Sequence, residues 1–381
     1  MKKILSILLC LVMLGCAALA EPVAAESAPA VGEKLGFELL KALYAEGGNV
    51  LLSPASLTLA LGMAAEGAEG ETLAAILRAL GAEDASALSN VVPEEIKSAN
   101  AAFVAHGLSL KQAYVDRLNE AYGAEWFELD AEVVEKVNAW VAEHTDGLID
   151  RLLSDAPDPQ TGLILINAIA MDAKWAKPFE AYNTIEDSFH APEGDVTVEM
   201  MYQQDFFDYV ERDGLQIIRL PYTDGALSMW IALPGEGVSI GLDGLLDALA
   251  EQGMAYLKDG AQEREVDLFL PKFDLTTENS LSDALKALGV EAPFGSDADF
   301  SGVSEVPLRI DEILQKVRVQ LDEEGTKAAA ATAAMVACMA MLPEEDPVEM
   351  RVDRPFAFVI ADGETDSVCF AGVVENPVAD R

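Results

Sequence analysis

Histidine is scarce in this sequence: 381 residues contain three, His106, His144 and His190. No two stand at the spacing a zinc hydrolase needs, so that chemistry has no ligand set, and neither a metal nor a cofactor is expected. Cysteine is nearly as rare. Cys10 and Cys16 fall in an N-terminal apolar run, leaving Cys338 and Cys369 in the body. A Cys338–Cys369 bridge is open, but a disulfide framework is excluded. The third shortage is of cations: 25 Lys and Arg stand against 66 Asp and Glu, for a net charge of −41. Such a chain repels phosphate backbones and anionic lipid, which argues against nucleic acid as a partner. It also offers no basic cluster for a glycosaminoglycan. Beyond the N-terminal run, no apolar stretch reaches the roughly 18 residues of a membrane-spanning helix.

The N-terminal run has the grammar of an export signal. Lys2-Lys3 precede an apolar segment from Ile4 to Leu14, a positive n-region followed by a short h-region. Two processing sites compete. Ala18-Leu19-Ala20 precedes Glu21 as an A-x-A site, and Met13-Leu14-Gly15-Cys16 resembles a bacterial lipobox with Cys16 as the lipidated residue. The expected organisation is a signal peptide over 1–20, a flexible linker over 21–32 and a single domain over 33–381. The expected location is outside a bacterial cell, either free or lipid-anchored to the outer face of a membrane.

The body changes texture midway. From Lys34 to Leu153 the apolar residues recur mostly at three- and four-residue spacing, which predicts helices. These run through GEKLGFELLKALYAE, from Pro54 after the Ser53 cap, over Glu71–Leu80 with Gly81 as the stop, over Leu110–Tyr122 and over Glu132–His144. Residues 163–175 then read as a buried strand. Further strands are expected at Val196–Met201, Phe206–Glu211, Leu215–Leu220, Leu227–Leu233, Glu265–Leu270 and Ile313–Leu321, with a closing hairpin of Phe356–Ile360 and Val368–Val374. Helices are expected at Leu245–Leu257 and Leu281–Leu288. Helices first and strands later make the fold class α+β.

Two motifs suggest chemistry they do not carry. Gly237-Val238-Ser239-Ile240-Gly241 matches the nucleophile elbow of a hydrolase, but that arrangement needs a histidine after the serine, and none follows His190. A turn leading into a helix is the better reading. Asp297-x-Asp299-x-Ser301-Gly302 opens like a calcium loop, yet Leu308 stands where the bidentate glutamate belongs.

Residues 323–342, EEGTKAAAATAAMVACMAML, carry the functional argument. Alanine content alone says helix. However, the segment follows a long apolar strand without a clear cap, it is not amphipathic, and it ends at the breaker PEEDP. Read with period two, Thr326, Ala328, Ala330, Thr332 and Ala334 share one face, which carries neither charge nor bulk. A strand of this kind can enter a gap in an existing sheet. Gly325 supplies a hinge.

Here the sequence resembles the serpins. Glu324-Gly325-Thr326-Lys327-Ala328-Ala329-Ala330-Ala331-Thr332 is similar to their reactive-loop hinge, and Asn49-Val50-Leu51-Leu52-Ser53-Pro54-Ala55-Ser56 to the entry of their second helix. Asn167-Ala168-Ile169 through Lys174-Trp175-x-x-Pro178-Phe179 resembles their central-strand signature. Leu270-Pro271-Lys272-Phe273, Asp299-Phe300-Ser301-Gly302 and Arg354-Pro355-Phe356-Ala357-Phe358 follow in family order.

The resemblance implies a serpin fold with a five-stranded central sheet, two further sheets, about eight or nine helices and an exposed reactive loop over about 323–347. It implies no enzyme but a monomeric suicide inhibitor that forms a covalent complex with a serine protease, or with a cysteine protease as a second target class. Counting from Glu323 places the scissile bond at Met339–Ala340, with Cys338–Met339 and Met341–Leu342 as alternatives. An unbranched apolar Met339 suits elastase-, subtilisin- or chymotrypsin-like targets. Cys338 beside that bond would be a thiol open to oxidation. Ser53, Ser56 and Asn167 resemble the shutter where the sheet parts, with Gln315 replacing the family's usual histidine, and Trp175 resembles the breach where the loop tip enters. A non-inhibitory serpin acting as a ligand binder, scaffold or chaperone is the competing expectation, and a hydrolase using Ser239 is the third.

Overall fold

The computed structural model describes residues 29–89, 93, 96–155, 161–171, 173–223, 225–235, 240–326 and 346–379. The export signal, most of the linker, Ser239 and the loop segment 327–345 lie outside them. Eight α-helices occur among the described residues: α1 (Glu33–Tyr44), α2 (Pro54–Ala65), α3 (Gly70–Leu80), α4 (Gln112–Tyr122), α5 (Val133–His144), α6 (Leu242–Gln252), α7 (Ala255–Lys258) and α8 (Ser282–Ala287). The strands are β1 (Val50–Leu52), β2 (Ile96–Ala105), β3 (Glu125–Leu129), β4 (Leu163–Met171), β5 (Ala173–Lys174), β6 (Ile185–Ala191), β7 (Gly194–Arg212) and β8 (Leu215–Pro221). They continue with β9 (Leu227–Pro234), β10 (Gln262–Pro271), β11 (Phe273–Ser280), β12 (Glu312–Leu321), β13 (Gly325–Thr326), β14 (Val348–Arg351), β15 (Phe356–Asp362) and β16 (Val368–Val374).

Five long strands make the central sheet, in the order β3-β2-β4-β12-β11, with the two-residue strands β5 and β13 at one end. The other strands form one nine-stranded sheet rather than two separate ones. The join is β7, a strand of 19 residues that pairs with β6, β8 and β10 in turn. The sequence reading ends one strand at Met201 and begins the next at Phe206, leaving Tyr202-Gln203-Gln204-Asp205 between them. The backbone nevertheless stays extended, because β10 pairs with it from Met200 to Tyr209.

The first half is less helical than its pattern suggests. β2 and β3 lie between helices there, and β6, β11 and β14 are further strands that periodicity does not reveal. β2 reads IKSANAAFVA and is buried on both faces from Ala99 to Val104, so it shows no alternation. Its alanines favour helix intrinsically, and pairing with β4 over nine residues overrides that preference. The helix expected over Leu245–Leu257 breaks at Gly253. A Cβ there would lie 2.3 Å from Glu33 Oε1, and that carboxylate accepts the Met254 N–H at 2.6 Å.

Three apolar cores result. One fills the space beneath α1, α2 and α6 and includes Phe37, Leu61 and Leu249. The second lies between the two sheets, around Phe189, Phe273 and Phe358. The third seats α5 and the segment after it on the outer face of the central sheet, joining Trp140, Leu148 and Leu152 to Ile164, Ile166 and Ala168.

Candidate functional site: the hinge and the closed seam

β4 and β12 are neighbours and run parallel. Seven residue pairs join them, from Glu312 opposite Ile164 to Arg318 opposite Ala170. No strand lies between them along this seam. Above it the seam is already wedged. After β12 the chain turns at Asp322, whose Oδ1 accepts the N–H groups of Glu324 (2.9 Å) and Gly325 (3.3 Å). The chain then doubles back as β13, antiparallel to both neighbours. Thr326 lies opposite Leu321 of β12 and Ala173 of β5, and Gly325 lies opposite Lys174. A Cβ on Gly325 would stand 2.2 Å from the Ala173 carbonyl oxygen, so the close approach, as much as hinge freedom, demands glycine.

The wedge is held on all sides. Thr326 is fully buried, and its hydroxyl shares a 2.9 Å hydrogen bond with the Tyr222 phenol. Burial pushes that phenol well above its ordinary pKa, so it stays protonated. Trp175 stacks on Tyr222 with centroids 4.4 Å apart. The Trp175 backbone N–H donates to the Glu324 carbonyl (2.9 Å) and its indole N–H to the Asp322 carbonyl (3.1 Å). Phe179 N–H donates to the Glu323 carbonyl at 2.8 Å. The Glu323 carboxylate accepts from the Thr184 hydroxyl (2.8 Å) and from Lys272 Nζ (3.2 Å). Burial would raise the Glu323 pKa, but hydrogen bonds from Thr184, its own backbone N–H and Lys272 outweigh burial and hold it below its ordinary value.

Lower on the seam lies a buried polar cluster. Asn167 and Gln315 face each other across the strands, and Ser53 and Ser56 reach them from the start of α2. Gln315 Oε1 accepts the Ser53 N–H (2.9 Å), and its Nε2 donates to the Ser53 carbonyl (2.9 Å) and to Ser56 Oγ (3.1 Å). The Ser56 hydroxyl donates to Asn167 Oδ1. The Ser53 hydroxyl donates to the Cys369 carbonyl (2.6 Å) and accepts the Ser56 N–H (3.2 Å), which caps α2. Asn167 Nδ2 continues to Asn100 Oδ1 (2.5 Å) and Ser98 Oγ (3.3 Å). Ser56 thus bonds to both sides of the seam, and parting the strands must break one of those bonds. Buried polar groups tolerate the loss of a partner only when a new one replaces it.

A strap covers the seam from outside. Arg318 of β12 holds Asp274 through two hydrogen bonds (2.9 and 2.8 Å) and donates to the Leu148 carbonyl at 2.8 Å. Lys316 donates to the Arg151 carbonyl at 2.5 Å. The segment after α5 is thereby tied over β12, beside the seam.

The structure brings Ser53, Ser56, Asn167 and Gln315 into one cluster, and Glu324, Gly325, Thr326 and Trp175 into another. Ala328, Ala329, Ala330, Ala331, Thr332, Cys338, Met339, Ala340 and Met341 lie outside the described residues. Cys369 is fully buried in the core between the sheets. The sequence reading does not single out Tyr222, Asn100, Thr184 or Glu323 as contributors. Tyr222 carries no local signal, since it follows Pro221 at the end of β8. Lys272 is visible only as part of Leu270-Pro271-Lys272-Phe273. No group of three or more metal-ligating side chains occurs among the described residues. In the calcium-loop motif, Asp299 Oδ1 accepts the Ser301 N–H at 3.1 Å, as in a polar turn.

The site is thus a closed parallel seam with a two-residue strand turned into its upper end and a cluster of buried polar side chains below. Comparison with known proteins gives the family. The family model described as "Serpin (serine protease inhibitor)" matches residues 30–377. A serpin-like protein of Thermococcus kodakarensis is 37% identical over 361 residues, covering 90% of this chain and 84% of that protein. Iripin-2 of Ixodes ricinus is 34% identical over 90% of this chain and 92% of its own length. Among solved structures, the thermophilic serpin tengpin in its native state superposes with a TM-score of 0.81 at 30% identity, covering 91% of this chain and 93% of that one. Human thyroxine-binding globulin also reaches a TM-score of 0.81, over 91% of this chain and 98% of that one, but at 24% identity, a likeness of fold alone. With the family model spanning nearly all of the described chain, this protein belongs to the serpin family.

Proposed function

We propose that this protein is an exported inhibitor of serine proteases that traps its target as an acyl-enzyme. The protease attacks the Met339 carbonyl, its serine oxygen forms an ester there, and the Ala340 amine leaves. Cleavage frees the segment from Thr326 onward to continue the course β13 has begun, between β4 and β12. The attached protease is carried along before water can release it. Cys338–Met339 and Met341–Leu342 are the neighbouring alternatives for the bond.

The observation that carries this reading is the upper end of the seam. Thr326 is antiparallel to both neighbours, whereas β4 and β12 are parallel to each other. Continued insertion replaces one parallel ladder with two antiparallel ones, and antiparallel pairing is the more stable per residue. Each additional hydrogen bond contributes a net ~1 kcal/mol, so a dozen residues supply a driving force on the order of 10 kcal/mol. The residues that would follow Thr326 on its face are Ala328, Ala330 and Thr332, which present neither charge nor bulk to the sheet. The apolar Met339 directs the inhibitor to elastase-, subtilisin- or chymotrypsin-like enzymes, and the leader directs it outside a bacterial cell.

Mixing the mature protein with such a protease and running a denaturing gel tests the reading. The expected result is a band at the summed mass and a released peptide beginning at Ala340. Cleavage without that band, across all three protease classes, would overturn it in favour of a non-inhibitory serpin.

A further inference from the structure

α5 and the segment after it form one unit that reaches both sides of the seam. Asn138 of α5 accepts the Leu152 and Leu153 N–H groups (2.7 and 2.9 Å) and donates to the Leu153 carbonyl (2.8 Å), so helix and segment are tied together. The helix packs through Val137 and Trp140 on Phe103 of β2 and Phe127 of β3, on the β4 side of the seam. The segment is held to β12, on the other side, by Arg318 and Lys316. A strand entering between β4 and β12 would part them by about 4.8 Å, and one end of this unit would have to let go.

At the last turn of α5, a single carboxylate of the edge strand holds the helix. Glu125 Oε1 accepts the Trp140 indole N–H at 2.8 Å and lies 3.4 Å from His144 Nε2. The other ring nitrogen, Nδ1, is 2.9 Å from the Trp140 carbonyl oxygen. The imidazole lies tilted against the Trp140 ring, with centroids 4.8 Å apart. Both ring nitrogens therefore face oxygen acceptors. A neutral imidazole carries one N–H and serves one of them, whereas the imidazolium carries two and serves both. His144 also closes α5, and the free carbonyls at a helix C-terminus favour a cation there. The neighbouring charges are engaged elsewhere or exposed: Lys136 pairs with Asp130 and Glu132, Asp146 with Lys97 of β2, and Arg318 with Asp274, while Glu135, Glu143 and Asp150 are exposed.

We propose, resting on the inhibitory reading above, that His144 is a pH-dependent latch that sets how fast the seam opens. Protonated, it ties the end of α5 to β3 through Glu125, and strand addition is slow. When the proton leaves, one of its two bonds is lost, and strand addition is faster. Trapping is then more efficient at neutral and alkaline pH, and gives way toward substrate-like cleavage in acid. Histidine is the side chain whose charge ordinarily changes between about pH 5 and 8, and of the three in this chain only His144 lies in the unit. His106 pairs with Glu128 at 2.7 Å, which strand alternation puts on the opposite face of β3 from Glu125. His190 pairs with Asp195 in the β6–β7 hairpin.

The latch is read first in the protein alone, by hydrogen exchange of the Trp140 indole N–H. At about pH 5.5 the parent should protect that proton about two- to fivefold more than His144→Gln does, the size expected of one half-exposed ion pair. At about pH 8 the two should agree. Trapping is read next, as the ratio of cleaved inhibitor to covalent complex, with parent and variants compared at the same pH so that the protease's own titration cancels. In acid the parent ratio should exceed that of His144→Gln by about two- to fivefold. Glu125→Gln keeps an acceptor for the indole but removes the charge, and should abolish the pH dependence too. His106→Gln should retain it. Equal protection in parent and His144→Gln at both pH values would overturn the proposal. So would partition ratios that agree at both, or a pH dependence that survives in both His144→Gln and Glu125→Gln. If protection depends on pH as expected but no protease forms a covalent complex, the latch stands and the trapping reading falls.

Discussion

At the scale of single residues, the hinge depends on what can be buried at one position. Thr326 sits between two strands with its hydroxyl on Tyr222, in space without room for a charge. Thr326→Arg would bury an unpaired cation at a cost on the order of 3 kcal/mol or more, so the side chain would stay outside. The chain should remain folded but insert slowly, so that the protease deacylates first. A covalent-complex assay should show cleaved inhibitor in excess over complex, and an unchanged ratio would mean that the hinge does not control the outcome. Glu323 adds a pH dependence. Its folded pKa is held below the ordinary 4.5, so its contribution to holding the hinge is complete above that value and is lost as pH falls through the lower, folded one. Glu323→Gln should remove this acid-side component while leaving the profile near neutrality unchanged, as read by chemical denaturation between pH 3 and 7. The seam cluster should add no dependence near pH 6, because Ser53, Ser56, Asn167 and Gln315 carry no titrating group.

At the scale of elements, the question is whether the closed seam between β4 and β12 opens to accept a strand that is not covalently part of the turn. The seam holds by seven parallel pairs, the Ser53–Ser56–Asn167–Gln315 cluster and the Arg318 and Lys316 strap. A free peptide with the sequence of residues 328–338 meets the same alternation of small side chains. Incubated with the intact chain, it should enter the seam, raise the thermal midpoint and abolish protease trapping. A peptide with arginine at the position of Ala330 should do neither. Equal effects from both peptides would show that the seam does not read small side chains. The same reasoning explains why β2 and β3 are strands although local composition points to helix: neighbours decide their conformation.

At the scale of the whole molecule, the proposed mechanism requires that a better-paired arrangement be within reach. In that mechanism, cutting the loop at Met339–Ala340 frees the segment after Thr326 to continue into the sheet. The cleaved protein should therefore be more stable than the intact one, by several kcal/mol if most of the added hydrogen bonds form at ~1 kcal/mol each. Differential scanning calorimetry of the two forms should show a rise in midpoint of at least about 10 °C. A fall or no change would mean that insertion does not follow cleavage.

How much was legible in advance differs by level. The α+β class, the helix opened by Ser53-Pro54 and the long strand over Ile313–Leu321 follow from local periodicity and capping, which act over a few residues. The chemistry of the hinge is also local: Gly325 followed by small residues at alternate positions states what the segment can become. Tertiary structure alone decides where that segment lies. The period-two pattern says that a strand has one unencumbered face, not which strands flank it, and β4 and β12 could pair with each other or with an inserted strand using the same backbone groups. The meeting of Thr326 with Tyr222, of Glu323 with Lys272 and of Asn167 with Gln315 joins residues 51 to 148 positions apart. Such contacts arise from topology, because a hydrogen bond across a seam depends on which strands become neighbours, and no local propensity encodes that choice.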